Sequence, residues 1–208
     1  MKKRRNRSLR LSWILTALGL ISAVICLVIL LVPTGERSVY VPEQRDVRDY
    51  EDFLDALGFR ESTDNYTRVN SYGYMGRYQM GGSALEEAGF KDEGGNWTVL
   101  ANSFGIYSKK DFLHSPEGQE YAIRAYHKKV CRYIRYYDLE QYIGTTYCGV
   151  KVTRSGLLAA CHLVGIGSMK KALASGALVR DGYGTPATEY LELFGGYDIS
   201  EVWRGENR

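Results

Sequence analysis

The sequence predicts a mainly α domain carried behind a single transmembrane helix. Three observations point there. Residues 11–32 are 22 consecutive uncharged, mostly apolar positions, and a helix needs about 20 such residues to cross a bilayer. Beyond them, apolar residues recur at helical spacing, most plainly from Ala122 to Tyr137. Between the periodic stretches lie Gly-, Tyr-, Asn- and Ser-rich segments with few helix formers, and no internal repeat or low-complexity tract is present. A length of 208 residues leaves room for one domain plus this appendage.

Taken in order, residues 1–10 form a basic tail. Lys2, Lys3, Arg4, Arg5, Arg7 and Arg10 stand ahead of the span with no acid among them. The positive-inside bias keeps that tail cytoplasmic and sends everything after Val32 across the membrane. A cleaved signal peptide is the competing reading, but its apolar core is usually ~7–15 residues and ends in small residues. Leu31-Val32-Pro33 is a poor cleavage site, and Ile25 before Cys26 argues against a lipid-modified cysteine. The expected location is therefore the inner (cytoplasmic) membrane, single-pass, with the domain on the periplasmic or extracytoplasmic side. Residues 33–45, with Pro33, Gly35 and Pro42, read as a tether, and 46–208 as the domain.

Within the domain, Tyr50, Phe53, Leu54 and Leu57 recur at helical spacing behind an Asp46 or Asp49 cap, with Glu61 in or just beyond the last turn. Residues 62–82 read as irregular chain or a small hairpin. Ser83-Ala84-Leu85-Glu86 fits a capping box opening a short helix, and 90–110 look loop-rich. Ser115-Pro116-Glu117 marks a clear helix start. Behind it Ala122, Tyr126, Val130, Tyr133, Ile134 and Tyr137 form one stripe of the longest helix. Thr153 or Ser155 caps a helix bearing Leu157, Leu158, Cys161 and Leu163, halted by Gly165 and Gly167. Short helices follow from Ser168 and after Thr185-Pro186.

Charge and cysteines exclude some functions. Six of the 27 basic residues lie in the tail, leaving 21 against 24 acids, a net charge near −3 for the exported part. The basic balance is a topology signal and not a nucleic-acid footprint. Of four cysteines, Cys26 falls in the span. Cys131, Cys148 and Cys161 remain in a compartment that permits disulfides, and one pair plus one buried thiol is the simplest expectation. No Cys-x-x-Cys or His-x-x-x-His spacing suggests a metal, and no cofactor is implied. His114 and His127 read as surface residues, and His162 as a satisfied core or supporting histidine.

The chemistry centres on Glu61. A glycosidic bond breaks through an oxocarbenium-like transition state, and its leaving oxygen must be protonated as it departs. One carboxylic acid at a helix end beside a cleft wall suits that task. The segment from Glu61-Ser62 through Val69, Gly73 and Met75 to Gly76-Arg77-Tyr78-Gln79 resembles the core of the lysozyme-like lytic transglycosylases, a group with a goose-type-lysozyme-like domain. Those enzymes carry Glu-Ser, a polar stretch with Val, then Gly-x-Met-Gly-Leu-Met-Gln. Val69, Gly73, Met75, Gly76 and Gln79 fall in register without a gap. A further motif of that family, Ala-Tyr-Asn followed by Gly-x-Gly, is similar to Ala160-Cys161-His162 followed by Gly165-Ile166-Gly167, with Cys161 for the Tyr and His162 for the Asn.

The resemblance implies a lysozyme-like fold, peptidoglycan glycan strands as substrate and cleavage of the MurNAc–GlcNAc bond. Glu61 would act as acid and then as base, taking the proton of the sugar's own 6-hydroxyl to leave a 1,6-anhydro end. Ser62 would orient Glu61 or hold substrate, and Gln79 would bond a sugar. Tyr72, Met75, Tyr78 and His162 complete the expected substrate contacts, with Tyr74 beside them. Hydrolysis would need a second carboxylate, for which Asp64, Glu86, Glu87, Asp92 and Glu93 are candidates. A non-catalytic wall-binding scaffold is the remaining rival. Protein partners are not legible.

Overall fold

A computed structural model describes residues 47–204. The basic tail, the expected span over 11–32 and the tether lie outside the described residues. The described chain is mainly α, and no single helix within it is long and apolar enough to cross a membrane.

Helix α1, Tyr50–Ser62, opens on a capping box. The Asp49 side chain accepts from Asp52 N at 3.1 Å, while the Asp52 side chain accepts from Asp49 N at 2.9 Å. Two otherwise unpaired amides are thereby satisfied. Tyr50, Phe53, Leu54 and Leu57 are buried as their spacing requires. The helix ends where Thr63 turns left-handed, at φ 59°.

The segment after α1 folds into tight turns. Met75 pairs with both Val69 and Met80 through isolated bridges, so Gly76-Arg77-Tyr78-Gln79 forms a turn closed by reciprocal Met75–Met80 bonds of 3.1 and 2.9 Å. Gly76 has φ +77°, and a β-carbon there would meet Gln119 Oε1 at 2.0 Å. Only glycine meets both demands.

Helix α2 is Gly82–Glu87, with Gly81 as N-cap and no side-chain cap. The expected capping box on Ser83 therefore does not form, because Ser83 already lies inside the helix. Two short helices, α3 (Val99–Ser103) and α4 (Lys109–Leu113), occupy the stretch read as loop. Each rests on a local cap, Thr98 and Ser108.

Helix α5, Pro116–Tyr136, starts at Ser115, whose hydroxyl accepts from Gly118 N. It is the spine of the domain, touching α2, α4 and three of the later helices. A 3-10 turn (Leu139–Tyr142) and a two-residue hairpin, β1 (Thr146–Tyr147) with β2 (Val150–Lys151), lead to α6, Arg154–Val164. From Ser155 to Cys161 every α6 residue is buried. Enclosing Leu157 and Leu158 contributes about 1.5–3 kcal/mol apiece. Gly165 bends the chain by 116° into α7, Ile166–Ser175, so Gly167 lies within a helix instead of ending one. Helix α8, Ala187–Leu193, lies along α6, and α9, Ser200–Trp203, closes the described chain.

Several sequence expectations change. Cys131, Cys148 and Cys161 are all free. Cys131 and Cys161 pack in the core as small apolar groups, and burial pushes the Cys131 thiol up to about 12. Cys148 is exposed. His127 is fully buried because α5 turns it inward beside Ile123 and Val130.

Candidate active site

Four elements converge on Glu61: the end of α1, the 75–80 turn, the end of α6, and α8. Glu61 is the last α1 residue to face outward, with 14% of its side chain exposed. Its Oε1 accepts from the Tyr190 hydroxyl of α8 at 2.7 Å. His162 Nε2, from α6, lies 3.8 Å from the same oxygen. Burial and the Glu61 charge both push the Tyr190 phenol up, so it stays a donor. Burial lowers His162, and Glu61 and the Tyr78 carbonyl oppose only in part, so the imidazole is neutral near pH 7.

Glu61 faces a cleft with two lobes. The larger, about 620 Å³, is lined by Tyr72, Tyr74, Glu87, Tyr133 and His162 among others. The second, about 430 Å³, is lined by Arg60, Arg68, Ser71, Thr185 and Tyr190. Glu61, Asn70, Gln79, Leu163, Asp181 and Tyr183 border both. A polymer lying through both lobes would pass the Glu61 carboxyl at their junction. One rim is aromatic: Tyr72 meets Tyr183 edge-on with centroids 4.7 Å apart, and the Tyr72 hydroxyl donates to Gly182 O at 3.0 Å.

The expected site residues separate into two groups. Tyr72, Gln79 and His162 line the cleft with Glu61. Gln79 sits at φ +46° and donates from Nε2 to Gly76 O at 2.9 Å, so its side chain braces the turn. Ser62, Met75 and Tyr78 are buried and border neither lobe. Burial thus speaks against the expected substrate contacts of Met75 and Tyr78, and leaves Ser62 with the supporting one of its two expected roles. All three sit one layer below, since a helix end or turn that aims one side chain outward aims its neighbours in. The Ser62 hydroxyl donates to Arg77 O at 2.8 Å and accepts from Asn65 N at 2.9 Å, stitching α1 to the turn.

Beneath the turn lies a network that sequence reasoning missed. Arg77 bonds Asp55 at 2.7 Å, Asp64 at 2.9 Å and Glu120 at 2.9 Å. The Tyr78 hydroxyl joins it, donating to Glu120 Oε2 at 2.8 Å. Burial opposes the Arg77 charge, but the three carboxylates outweigh it and raise its pKa. Gly58 makes the crossing possible, because a β-carbon there would meet Arg77 Nε at 2.5 Å. Strain gathers here too: Thr63, Asp64 and Gln79 are three of the five described non-glycine residues at positive φ. Such conformations persist only where surroundings enforce them.

Tyr190 was also missed, lying 129 residues from Glu61. Its only sequence signal is an aromatic position in the helix opened by Thr185-Pro186. Of the carboxylates weighed as second groups, Asp64 is tied to Arg77, Asp92 bonds Asn96, and Glu87 accepts from Tyr133. Asp181, not among them, borders both lobes, with Oδ1 accepting from the amides of Tyr183 and Thr185. Among the described residues no cluster of three or more His, Cys, Asp or Glu is arranged to hold a metal.

No match emerges from comparison of the chain with protein-family models, curated proteins or solved structures. The functional reading therefore rests on the motif resemblance carried by Glu61 to Gln79 and on the geometry around Glu61.

Proposed function

We propose that this chain is a membrane-anchored peptidoglycan lytic transglycosylase with a lysozyme-like domain. The anchor is the apolar run at 11–32, and the basic tail orients the domain toward the extracytoplasmic side. One observation carries the reading: the carboxyl that the sequence motif singles out is the one at the junction of the two lobes.

In the proposed reaction a glycan strand lies across both lobes with its scissile bond over Glu61. Glu61 begins protonated and gives its proton to the glycosidic oxygen as the bond to C1 breaks. The resulting carboxylate is held by the Tyr190 hydroxyl. It then takes the proton of the 6-hydroxyl, whose oxygen closes on C1 to form the 1,6-anhydro ring. Proton and bond counts balance without water. The exposed faces of Tyr72 and Tyr183 suit sugar rings on the aromatic rim.

Hydrolysis is the second reading, favoured by one feature. Asp181 borders both lobes beside Glu61, where a carboxylate could activate water. Products decide between them. The full chain in detergent, incubated with isolated sacculi, is expected to release fragments with anhydro ends by mass spectrometry. Reducing ends would mark a hydrolase, and binding without release a scaffold.

A further inference from the structure

Two ring nitrogens are buried behind Glu61 without a hydrogen-bond partner: Nδ1 of His162 and Nε2 of His127. Leaving a buried polar atom unsatisfied costs about 1–3 kcal/mol, so a pair in one place needs a physical account. Their other nitrogens supply it. His162 Nε2 lies 3.1 Å from the Tyr78 carbonyl oxygen, which only accepts. That nitrogen therefore carries the proton, and Nδ1 is a bare acceptor. His127 Nδ1 lies 2.9 Å from the Tyr50 hydroxyl. With Tyr50 donating, the His127 proton sits on Nε2, and the second orphan is a donor.

The two orphans are then complementary, one donor and one acceptor. The rings pack edge to face, with centroids 5.6 Å apart and planes at 80°. No direct hydrogen bond joins the two nitrogens, so the link between them would run through one bridging water that accepts from His127 Nε2 and donates to His162 Nδ1. The chain also closes on itself. Tyr50 and Glu61 both belong to α1 and lie 11 residues apart, about three turns and so on one helix face. From the start of α1 the path runs through His127 on α5 and His162 on α6 to the end of α1.

We propose that Tyr50, His127 and His162 form a one-way chain of donors that fixes His162 as a neutral Nε2–H donor beside the Glu61 carboxyl. Tyr50 and His127 are positioning residues, acting on Glu61 only through His162. Other groups facing the pair favour its neutrality: Tyr126 covers both rings, and Arg124 adds positive potential at His127. The catalytic meaning of the chain rests on the proposed role of Glu61; the chain itself does not.

The test is the proton position. The sequence holds three histidines, so 15N-histidine labelling of the full chain in detergent micelles gives a spectrum that His114→Gln simplifies to the buried pair. The expected result at pH 7 is a protonated Nε2 and a bare Nδ1 on both rings. Tyr50→Phe keeps the ring but removes the donor. It is expected to leave His127 as a mixture of tautomers and to move the His162 Nδ1 signal, one residue further along. A proton on His127 Nδ1, a doubly protonated His162, or an unmoved His162 signal in Tyr50→Phe would each overturn the chain. Should that variant not fold, the wild-type proton positions still decide. In glycan release, Tyr50→Phe is expected to lower kcat roughly fivefold to tenfold at unchanged KM, the scale of one neutral hydrogen bond. A wild type with the expected tautomers and no glycan release keeps the chain and removes the enzyme reading; the converse removes the chain and keeps the enzyme.

Discussion

Two polar networks lie behind the Glu61 site, one under the 75–80 turn and one under the end of α6, and they use opposite physics. Under the 75–80 turn, Arg77 collects Asp55, Asp64 and Glu120, a charged cluster whose carboxylates are 76, 45 and 26% exposed. Under the end of α6, His127 and His162 are neutral and almost fully enclosed. The charged network holds its ions because Asp55 and Asp64 stay partly hydrated, while the lost hydration of the mostly covered Arg77 is offset by three carboxylates. The neutral one tolerates burial because neither ring carries charge. Each network should therefore fail under a different insult.

The largest expected effect is on the charged side. Arg77→Leu leaves three carboxylates and the Tyr78 hydroxyl without their common partner. It should lower unfolding free energy by about 1–3 kcal/mol, between the values for exposed and buried pairs, read by urea denaturation. Arg77→Lys should recover only part, since an ammonium cannot fan out to three carboxylates as a guanidinium does. A Lys variant as stable as wild type would show that the cluster needs charge and not geometry.

Acid should separate the networks next. Burial lowers the pKa of both His127 and His162, so below about pH 6.5 the unfolded chain binds protons that the folded one refuses. Stability is complete above that pH and falls as pH drops toward the folded-state values. The slope approaches about 1.4 kcal/mol per pH unit for each histidine. Melting followed from pH 7 to pH 5.5 should show this decline, and it should persist in Arg77→Leu. A flat profile would mean that the histidines titrate normally and are not enclosed as described.

Salt should act on the other network, and least. Raising ionic strength to 1 M screens partly exposed ion pairs and should reduce stability by less than about 1 kcal/mol. Arg77→Leu should reduce that dependence, leaving the part due to pairs such as Arg124–Glu51, while the acid slope should be indifferent to salt.

What the sequence made legible was mostly local. Tyr50, Phe53, Leu54 and Leu57 behind Asp49, and Ser115-Pro116 ahead of the longest helix, carry their signals within one or two turns. The same holds for Thr153 before α6. Short helices escaped where only a cap announces them, as at Thr98 and Ser108; α2 was legible, but with Ser83 as its cap where Gly81 stands instead. Contacts between distant segments left no trace. Tyr190 reaches Glu61 across 129 residues, and Arg77 gathers partners 13, 22 and 43 residues away. The motif positions Ser62, Met75 and Tyr78 could be aligned by spacing, but spacing does not say which face a turn exposes. His127 reads as polar in sequence and is buried because its partner Tyr50 lies 77 residues earlier.

In the proposed reaction one carboxyl, Glu61, cuts the glycan without a water-activating partner. Digestion of sacculi by the full chain and by Glu61→Gln, with released fragments resolved by mass spectrometry, tests it directly. The account predicts anhydro-ended fragments from the wild type and a loss of about 10²–10⁴-fold in the variant, with melting temperature and sacculus binding retained. Fragments released equally by Glu61→Gln, or reducing ends from the wild type, would contradict it.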